Sequence, residues 1–351
     1  MSNVQSAGAA VPAIHPVVPQ PTSPATNRPG IVLPESRDLS PEQWLAFRLQ
    51  GIGSSEAAAA VGLDPWSSPL ALWLEKTGRV VVDPDNDPLA QDDHPAFWGK
   101  VLEPFVARQY ARRTGNRLRK VHTMSKHREH DWMRASLDYQ VVGNASVQVL
   151  ECKTVGLYAA RYWEHGVPEY VQIQVQHQLA VTGKQAADVA VLIGGQELRI
   201  HRIERDEEVI AWLIELEAKF WQAVQQDLPP AADGSESAQQ ALARLYPQDR
   251  GEVLDLTDSE IWNATFEQLL AVRAELEDCK GFEAKLRQSL CERLGEASGA
   301  RFRQGSISWK RSKDSTTLDT ARLLKAQPDL LTQYPLTREG SRRFLVKAQE
   351  G

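Results

Sequence analysis

Cysteine is scarce in this chain: three among 351 residues (Cys152, Cys279 and Cys291), with no pair at C-x-x-C spacing. That excludes a disulfide framework, a zinc knuckle and an iron–sulfur cluster as organising devices. Long apolar runs are absent as well. Nothing approaches the ~18 consecutive apolar residues of a bilayer-spanning helix. The N-terminus has no basic start followed by an apolar core, so no secretory leader is expected and the chain reads as cytoplasmic. An excess of positive charge is missing too: the net charge is −6. Any affinity for nucleic acid must therefore come from local clusters. Residues 1–36 lack aromatic residues and almost all charge. Such a segment buries too little apolar surface to offset its ordering entropy, which predicts a disordered tail.

What is present centres on Met133–Thr154, MRASLDYQVVGNASVQVLECKT. Two apolar-rich runs, 132–142 and 147–155, flank Gly143-Asn144-Ala145-Ser146, which predicts a β-hairpin. Asp138 falls on its first strand. Glu151 and Lys153, two apart on the second, share one face while Cys152 takes the other. Carboxylates on such a face suit a hard divalent cation, and the ammonium can orient or deprotonate a neighbouring water. A bare ExK is also what an ordinary solvent-facing strand carries.

Around this stretch the pattern is α/β. Ser40-Pro41-Glu42-Gln43 is a capping box opening a helix with Trp44, Leu45 and Phe47. Gly51-Ile52-Gly53-Ser54-Ser55-Glu56 then leads into an alanine-rich helix. Its glycines allow close backbone approach, and its serines fit either a phosphate cradle or plain N-capping. Ser68-Pro69 starts a helix to Thr77. Five aspartates in 82–93 indicate a solvated loop. A helix over 96–114 places Phe97, Val101, Phe105 and Tyr110 near one stripe, with Glu103 close to it. Residues 108–134 then hold nine Lys/Arg, among them Arg112, Arg113, Arg117 and Lys120, against Glu129 and Asp131. This local cluster suits a phosphate backbone, or else a solvated face. Leu157–Trp163 reads as a short helix. Pro168 precedes a helix closed by Gly183, whose second row is Gln174 and Gln178, amides able to orient a water or a sugar-phosphate. Strands over 187–193 and 197–203 and a helix over 206–225 complete a domain with a central mixed sheet.

Beyond Leu228-Pro229-Pro230 a linker (229–255) leads to a second region, 256–351. Thr257–Glu260 is a capping box for a helix with Trp262, Phe266, Leu269, Val272 and Leu276, resuming after Gly281 through Leu294, which predicts a helical hairpin or coiled-coil arm. A β-hairpin is expected over 302–310, a helix over 317–326 and a strand near 343–346.

In order along the chain, FRLQGIGSSE (47–56), SPLALWLEKTG (68–78), FWGKVLEPFVARQY (97–110), MRASLDYQ (133–140), LECKT (150–154) and QIQVQHQLAVTG (172–183) resemble the YqaJ group of phage-type recombination nucleases. That group includes the lambda-type alkaline exonucleases of the PD-(D/E)xK superfamily. The resemblance spans about Ser40–Gln225 and implies a restriction-endonuclease-like core (37–228) with a mostly helical C-terminal appendage. It implies Glu103, Asp138 and Glu151 as metal ligands with the Cys152 carbonyl, Lys153 attending the nucleophilic water, and Gln174 supporting it. Arg48 and Ser55, with Ser54, match a pocket for a DNA 5′-phosphate. The implied activity is a 5′→3′ exonuclease on duplex DNA ends that uses two Mg²⁺, with Mn²⁺ as a substitute. A ring-shaped homo-oligomer, a single-strand annealing partner, and phage or prophage origin in a bacterial host belong to the same resemblance. An endonuclease on the same fold, and a non-catalytic DNA-binding or assembly protein, are the competing readings.

Overall fold

The computed structural model describes residues 29–37, 39–80, 95–337 and 340–347. The aspartate-rich segment 82–93 and most of the tail lie outside them. The chain divides into two compact units, one ending at Leu245 and one beginning at Tyr246.

The first unit opens with β1 (Ile31–Leu33), inside the segment expected to be tail, followed by α1 (Pro41–Arg48), β2 (Ile52–Gly53), α2 (Ala57–Ala60) and α3 (Pro69–Lys76). The Ser40–Gln43 capping box is formed in both directions, and Ser68 caps α3. Then come α4 (Pro95–Thr114), β3 (Arg117–Lys120), β4 (Met124–Lys126), β5 (Met133–Ser136), β6 (Tyr139–Val142) and β7 (Val149–Val155). A one-and-a-half-turn 3₁₀ segment, Ala159–Trp163, leads to α5 (Glu169–Thr182), β8 (Ala186–Ile193), β9 (Glu197–Glu204), α6 (Glu207–Gln225) and α7 (Glu236–Leu245). α7 corrects the expected linker: Ala238 and Ala241 are buried, and the Ser237 hydroxyl accepts from Ser68 N–H at 2.9 Å.

Two sheets result, one ordered β1-β4-β5-β2 and one β3-β6-β7-β8-β9. In the larger sheet β7 and β8 run parallel over seven residue pairs and the other pairings are antiparallel. All eight residues of β8 are buried, as expected of a strand covered on both faces. α5 covers one face: Val171, Val175 and Leu179 pack with Val149, Val189 and Val191. Its other side meets α2, β5 and α6 through Ile173, Ala180 and Val181. This helix is therefore enclosed almost all round, and its buried polar side chains Gln174, Gln176, His177 and Gln178 are each hydrogen-bonded. α4 covers the opposite face through Val106, Ala107 and Tyr110. The stripe expected on α4 is only partly right, since Val101 and Phe105 are about half exposed. A buried network locks α4 to the sheet. Tyr110 Oη donates to Asp188 at 2.6 Å, Arg202 Nε donates to the same carboxylate at 2.5 Å, and Asn116 donates to the Tyr110 hydroxyl at 2.8 Å.

The second unit contains α8 (Glu260–Leu294), a hairpin of β10 (Gly299–Phe302) and β11 (Gly305–Ser308), α9 (Thr320–Ala326) and α10 (Leu330–Gln333). α8 is one continuous 35-residue helix that passes Gly281 without turning, so the helical-hairpin expectation gives way to a single arm. It starts at Glu260 with Ser259 at the N-cap, while the Thr257 hydroxyl donates to Asp255 at 2.6 Å. Residues 343–346 form no strand. Among the described residues no helix is long and apolar enough to cross a membrane.

Candidate active site

The expected first arm of the hairpin is broken. β5 belongs to the smaller sheet and β6 to the larger, and the chain changes sheets at Leu137-Asp138. The reason is visible in the burial: Met133 and Ala135 face the α5–α6 layer, whereas Val141 faces α4. Asp138 thus sits in a bend at the rim rather than on a strand. There its Oδ2 accepts from the Cys152 N–H at 2.8 Å. The β6–β7 ladder reaches only from Gln140↔Val149 to Tyr139↔Leu150, so Asp138 takes the place of a strand partner for the next segment of β7. The N–H and C=O of one strand residue point to the same side. The Cys152 carbonyl therefore lies on this same open edge.

Glu151 and Lys153 face α5, as their spacing predicts, and Cys152 faces α4. Glu151 is buried, and both of its carboxylate oxygens have partners, with acceptor capacity left on Oε2. Gln174 Nε2 donates to Oε1 at 2.7 Å, Gln178 Nε2 donates to Oε2 at 2.8 Å, and Lys153 Nζ lies 2.9 Å from Oε1. Lys153 also donates to Gln174 Oε1 at 2.8 Å. Two of its three N–H donors are thus spent, and one is left for a water or phosphate oxygen. Burial opposes the charged form of Lys153, but Glu151 and Asp138 outweigh it and push the ammonium above its usual range. The Asp138 carboxyl is pushed up as well, to about 8, by burial first and then by the Glu151 and Glu103 charges, with the Cys152 N–H and Lys153 opposing. Two carboxylates this close resist joint ionisation unless a cation joins them.

Glu103 reaches the rim from α4, on the other face of the sheet, and is ion-paired with Lys120. Lys120 also lies 4.7 Å from the centre of the Tyr139 ring. Burial, then Glu103, pushes the Tyr139 hydroxyl up to about 12. Among the described residues no three His, Cys, Asp or Glu side chains converge closely enough to hold an ion unaided. A divalent site here needs the Cys152 carbonyl beside Asp138 and Glu151, with Glu103 turning from Lys120 to complete it. The mutually repelling Asp138 and Glu151 fit such a cation.

The Arg48–Ser55 segment is organised by a residue the sequence reading passed over. Glu56 receives Arg48 Nη2 and Lys76 Nζ, each at 2.5 Å, and the Gly53 N–H at 2.7 Å. Burial opposes the ionised form of Glu56, yet Arg48 and Lys76 bring its pKa below the ordinary value. Gly51 approaches the chain itself: a Cβ there would stand 2.4 Å from the Trp132 carbonyl oxygen. Ser54 is buried and Ser55 exposed. Glu56 sits three residues after Gly53, a capping-box spacing that could have flagged it. The Arg48 side chain keeps 34% of its surface exposed. In the basic run, Arg112, Arg113, Arg117 and Lys120 are all exposed, but Arg113 also donates to the Leu198 carbonyl at 2.7 Å.

Residues 43–185 match the YqaJ-like viral recombinase domain. The chain is 31% identical over 329 residues to the Bacillus subtilis (strain 168) protein described as uncharacterized protein YqaJ, spanning 92% of this chain and 99% of that one. Among solved structures it is similar to an alkaline exonuclease from Laribacter hongkongensis, with 21% identity, 58% of this chain, 99% of that chain and a TM-score of 0.43. A phage-related exonuclease from Haemophilus somnus 129PT is also similar, with 12% identity, 50% of this chain, 94% of that chain and a TM-score of 0.37. With near-complete coverage of its Bacillus relative, the chain belongs to the YqaJ-like viral recombinase family.

Proposed function

We propose that the chain is a metal-dependent deoxyribonuclease, an exonuclease working 5′→3′ from duplex DNA ends in phage-type recombination. The observation that carries this reading is the Glu151–Lys153–Gln174–Gln178 cluster beside Asp138 at the open edge of β7. Glu103, Asp138, Glu151 and the Cys152 carbonyl would hold Mg²⁺, or Mn²⁺ in its place. Two such ions supply the charge that makes a water nucleophilic and stabilises the leaving oxygen.

The protein's own groups do the positioning. Gln174 and Gln178 hold Glu151 from both oxygens, so its carboxylate cannot rotate. Lys153, kept charged by Glu151, offers its remaining N–H to the attacking water or to a phosphate oxygen. Arg48, anchored on one side by Glu56, presents its exposed guanidinium edge to a terminal 5′-phosphate, with Ser54 and Ser55 on the same segment. Arg112, Arg113, Arg117 and Lys120 form the diffuse positive surface for the duplex. A ring-shaped homo-oligomer, a single-strand annealing partner and the cytoplasm of a phage- or prophage-bearing bacterium complete the proposal.

The test compares linear 5′-phosphorylated, linear dephosphorylated and closed circular duplex DNA, each with Mg²⁺ and with EDTA. Digestion of phosphorylated linear DNA, slower digestion of dephosphorylated ends, intact circles and no cleavage in EDTA are expected. Efficient cutting of closed circles would turn the assignment to an endonuclease. Binding without cleavage of any substrate would leave a DNA-binding or assembly protein.

A further inference from the structure

The segment between β7 and α5, together with the loop between α2 and α3, displays large aromatic side chains that the carboxylate cluster does not use. Tyr158 is 79% exposed, Trp66 56% and Tyr162 40%. They are arranged rather than scattered. The Arg161 guanidinium lies 4.4 Å from the Tyr158 ring centre and 5.0 Å from that of Tyr162, and it donates to both hydroxyls at 3.2 and 3.1 Å. Trp66 stands edge-on to Tyr162 at 6.0 Å and to Tyr170 at 4.9 Å. Tyr170, at the start of α5, lies one turn before Gln174, the amide that bonds to Lys153 and Glu151. The row Tyr158–Arg161–Tyr162–Trp66–Tyr170 therefore runs outward from the edge of the candidate active site. Its footing is firm: Trp163, next to Tyr162 in the chain, is buried in the core and its carbonyl accepts from Arg199 at 3.1 Å.

We infer that this row is a stacking platform for unpaired nucleobases of the DNA strand entering or leaving the site; this rests on the nuclease reading for the identity of the strand. Leaving the Tyr158, Trp66 and Tyr162 rings in water forgoes the burial that a purely structural segment would gain from them. A cation held between ring faces suits a polyanion carrying flat bases: the guanidinium answers the phosphates and the rings answer the base faces. A duplex hides its base faces, so the platform discriminates in favour of single strand. A protein partner would meet the same rings without needing the fixed cation or the position beside Lys153.

The experiment measures binding of the full chain in EDTA, where cleavage is not expected. The probes are a fluorescent 15-nucleotide single strand and a fully abasic strand of equal length. The wild type should bind the base-bearing strand about tenfold or more tighter than the abasic one. Tyr158→Ala and Tyr162→Ala should each weaken the base-bearing strand by about five- to tenfold and the abasic strand by less than about twofold, with Tyr158→Phe close to wild type. Tyr158 is so exposed that its alanine variant carries little folding risk. Equal affinity for the two probes, no measurable binding of the base-bearing strand, alanine variants that weaken both probes equally, or variants that change neither would overturn the platform. Digestion of linear duplex by the wild type in Mg²⁺, run alongside, reads the nuclease assignment separately. Loss of that activity with an intact preference for bases would sink the assignment and leave the platform standing.

Discussion

Glu151 and Asp138 differ in how the fold treats them, and that difference sets what each substitution does. Glu151 has hydrogen bonds to both oxygens, whereas Asp138 has the Cys152 N–H and two neighbouring negative charges. The folded-state pKa of Asp138 is raised, so its contribution to stability is greatest below the unfolded value and is lost as pH rises toward about 8. Asp138→Asn keeps an oxygen for the Cys152 N–H and removes the repulsion. It should abolish Mg²⁺-dependent cleavage while raising unfolding stability in EDTA at neutral pH by about 1 kcal/mol. Glu151→Ala should abolish cleavage as well, but with a stability loss, because Gln174 and Gln178 are left with unpaired amides. Cleavage within tenfold of wild type in both would remove these residues from the chemistry. Lys153→Arg should lose most activity despite keeping its charge. A planar guanidinium cannot occupy the compact corner between Glu151 and Gln174 and still leave one N–H directed at a water. Initial rates on linear duplex in Mg²⁺ decide it.

α5 is the element on which the site depends, because one helix supplies both amides to Glu151 and is itself held from behind. His177, fully buried, bonds to Glu217 on α6 at 2.7 Å through Nδ1 and to the Arg134 carbonyl at 2.8 Å through Nε2. Burial raises the Glu217 pKa against the opposing effect of His177, which favours the carboxylic acid form of Glu217 as the donor in this bond. Glu217→Gln preserves a donor to Nδ1 and should cost no more than about 1 kcal/mol. Glu217→Ala should cost about 3 kcal/mol or more, through a cavity and an unpaired imidazole nitrogen. Urea midpoints followed by tryptophan fluorescence separate the two. Equal losses would mean that Glu217 does not serve as the donor in this bond.

Across the whole molecule, net negative charge and local positive charge have to coexist, and the proposed function sets the duplex against the basic run. Not all of its members are equivalent. Arg113 is tied to Leu198, and Lys120 to Glu103, so removing either disturbs structure as well as charge. Arg112 and Arg117 are exposed on the end of α4 and on the edge strand β3. Changing both to Ala should reduce the slope of log Kobs against log salt for duplex binding by about one to two units, with the preference for 5′-phosphorylated ends unchanged. A slope equal to that of wild type would place the duplex on another face.

The sequence by itself determined much of this protein. Local signals reach only a few residues, and where the physics is equally local they suffice. The Ser40–Gln43 capping box, the Ser68 cap, the Gly183 stop of α5 and the alternation that puts Glu151 and Lys153 on one face all appear in the structure as the residues imply. The amide row of Gln174 and Gln178 was legible from helical spacing, and its target was not. Long-range packing alone settled that both amides converge on Glu151, that the apolar-rich run 132–142 breaks at Asp138 between two sheets, and that Glu56 gathers Arg48 and Lys76 from separate helices. It also decided that α7 packs back on α3 where a linker was expected, and that α8 runs straight through Gly281. Each of these turns on which distant surfaces share a buried face. Burial energy depends on area assembled from across the chain, and no window of neighbouring residues carries that quantity.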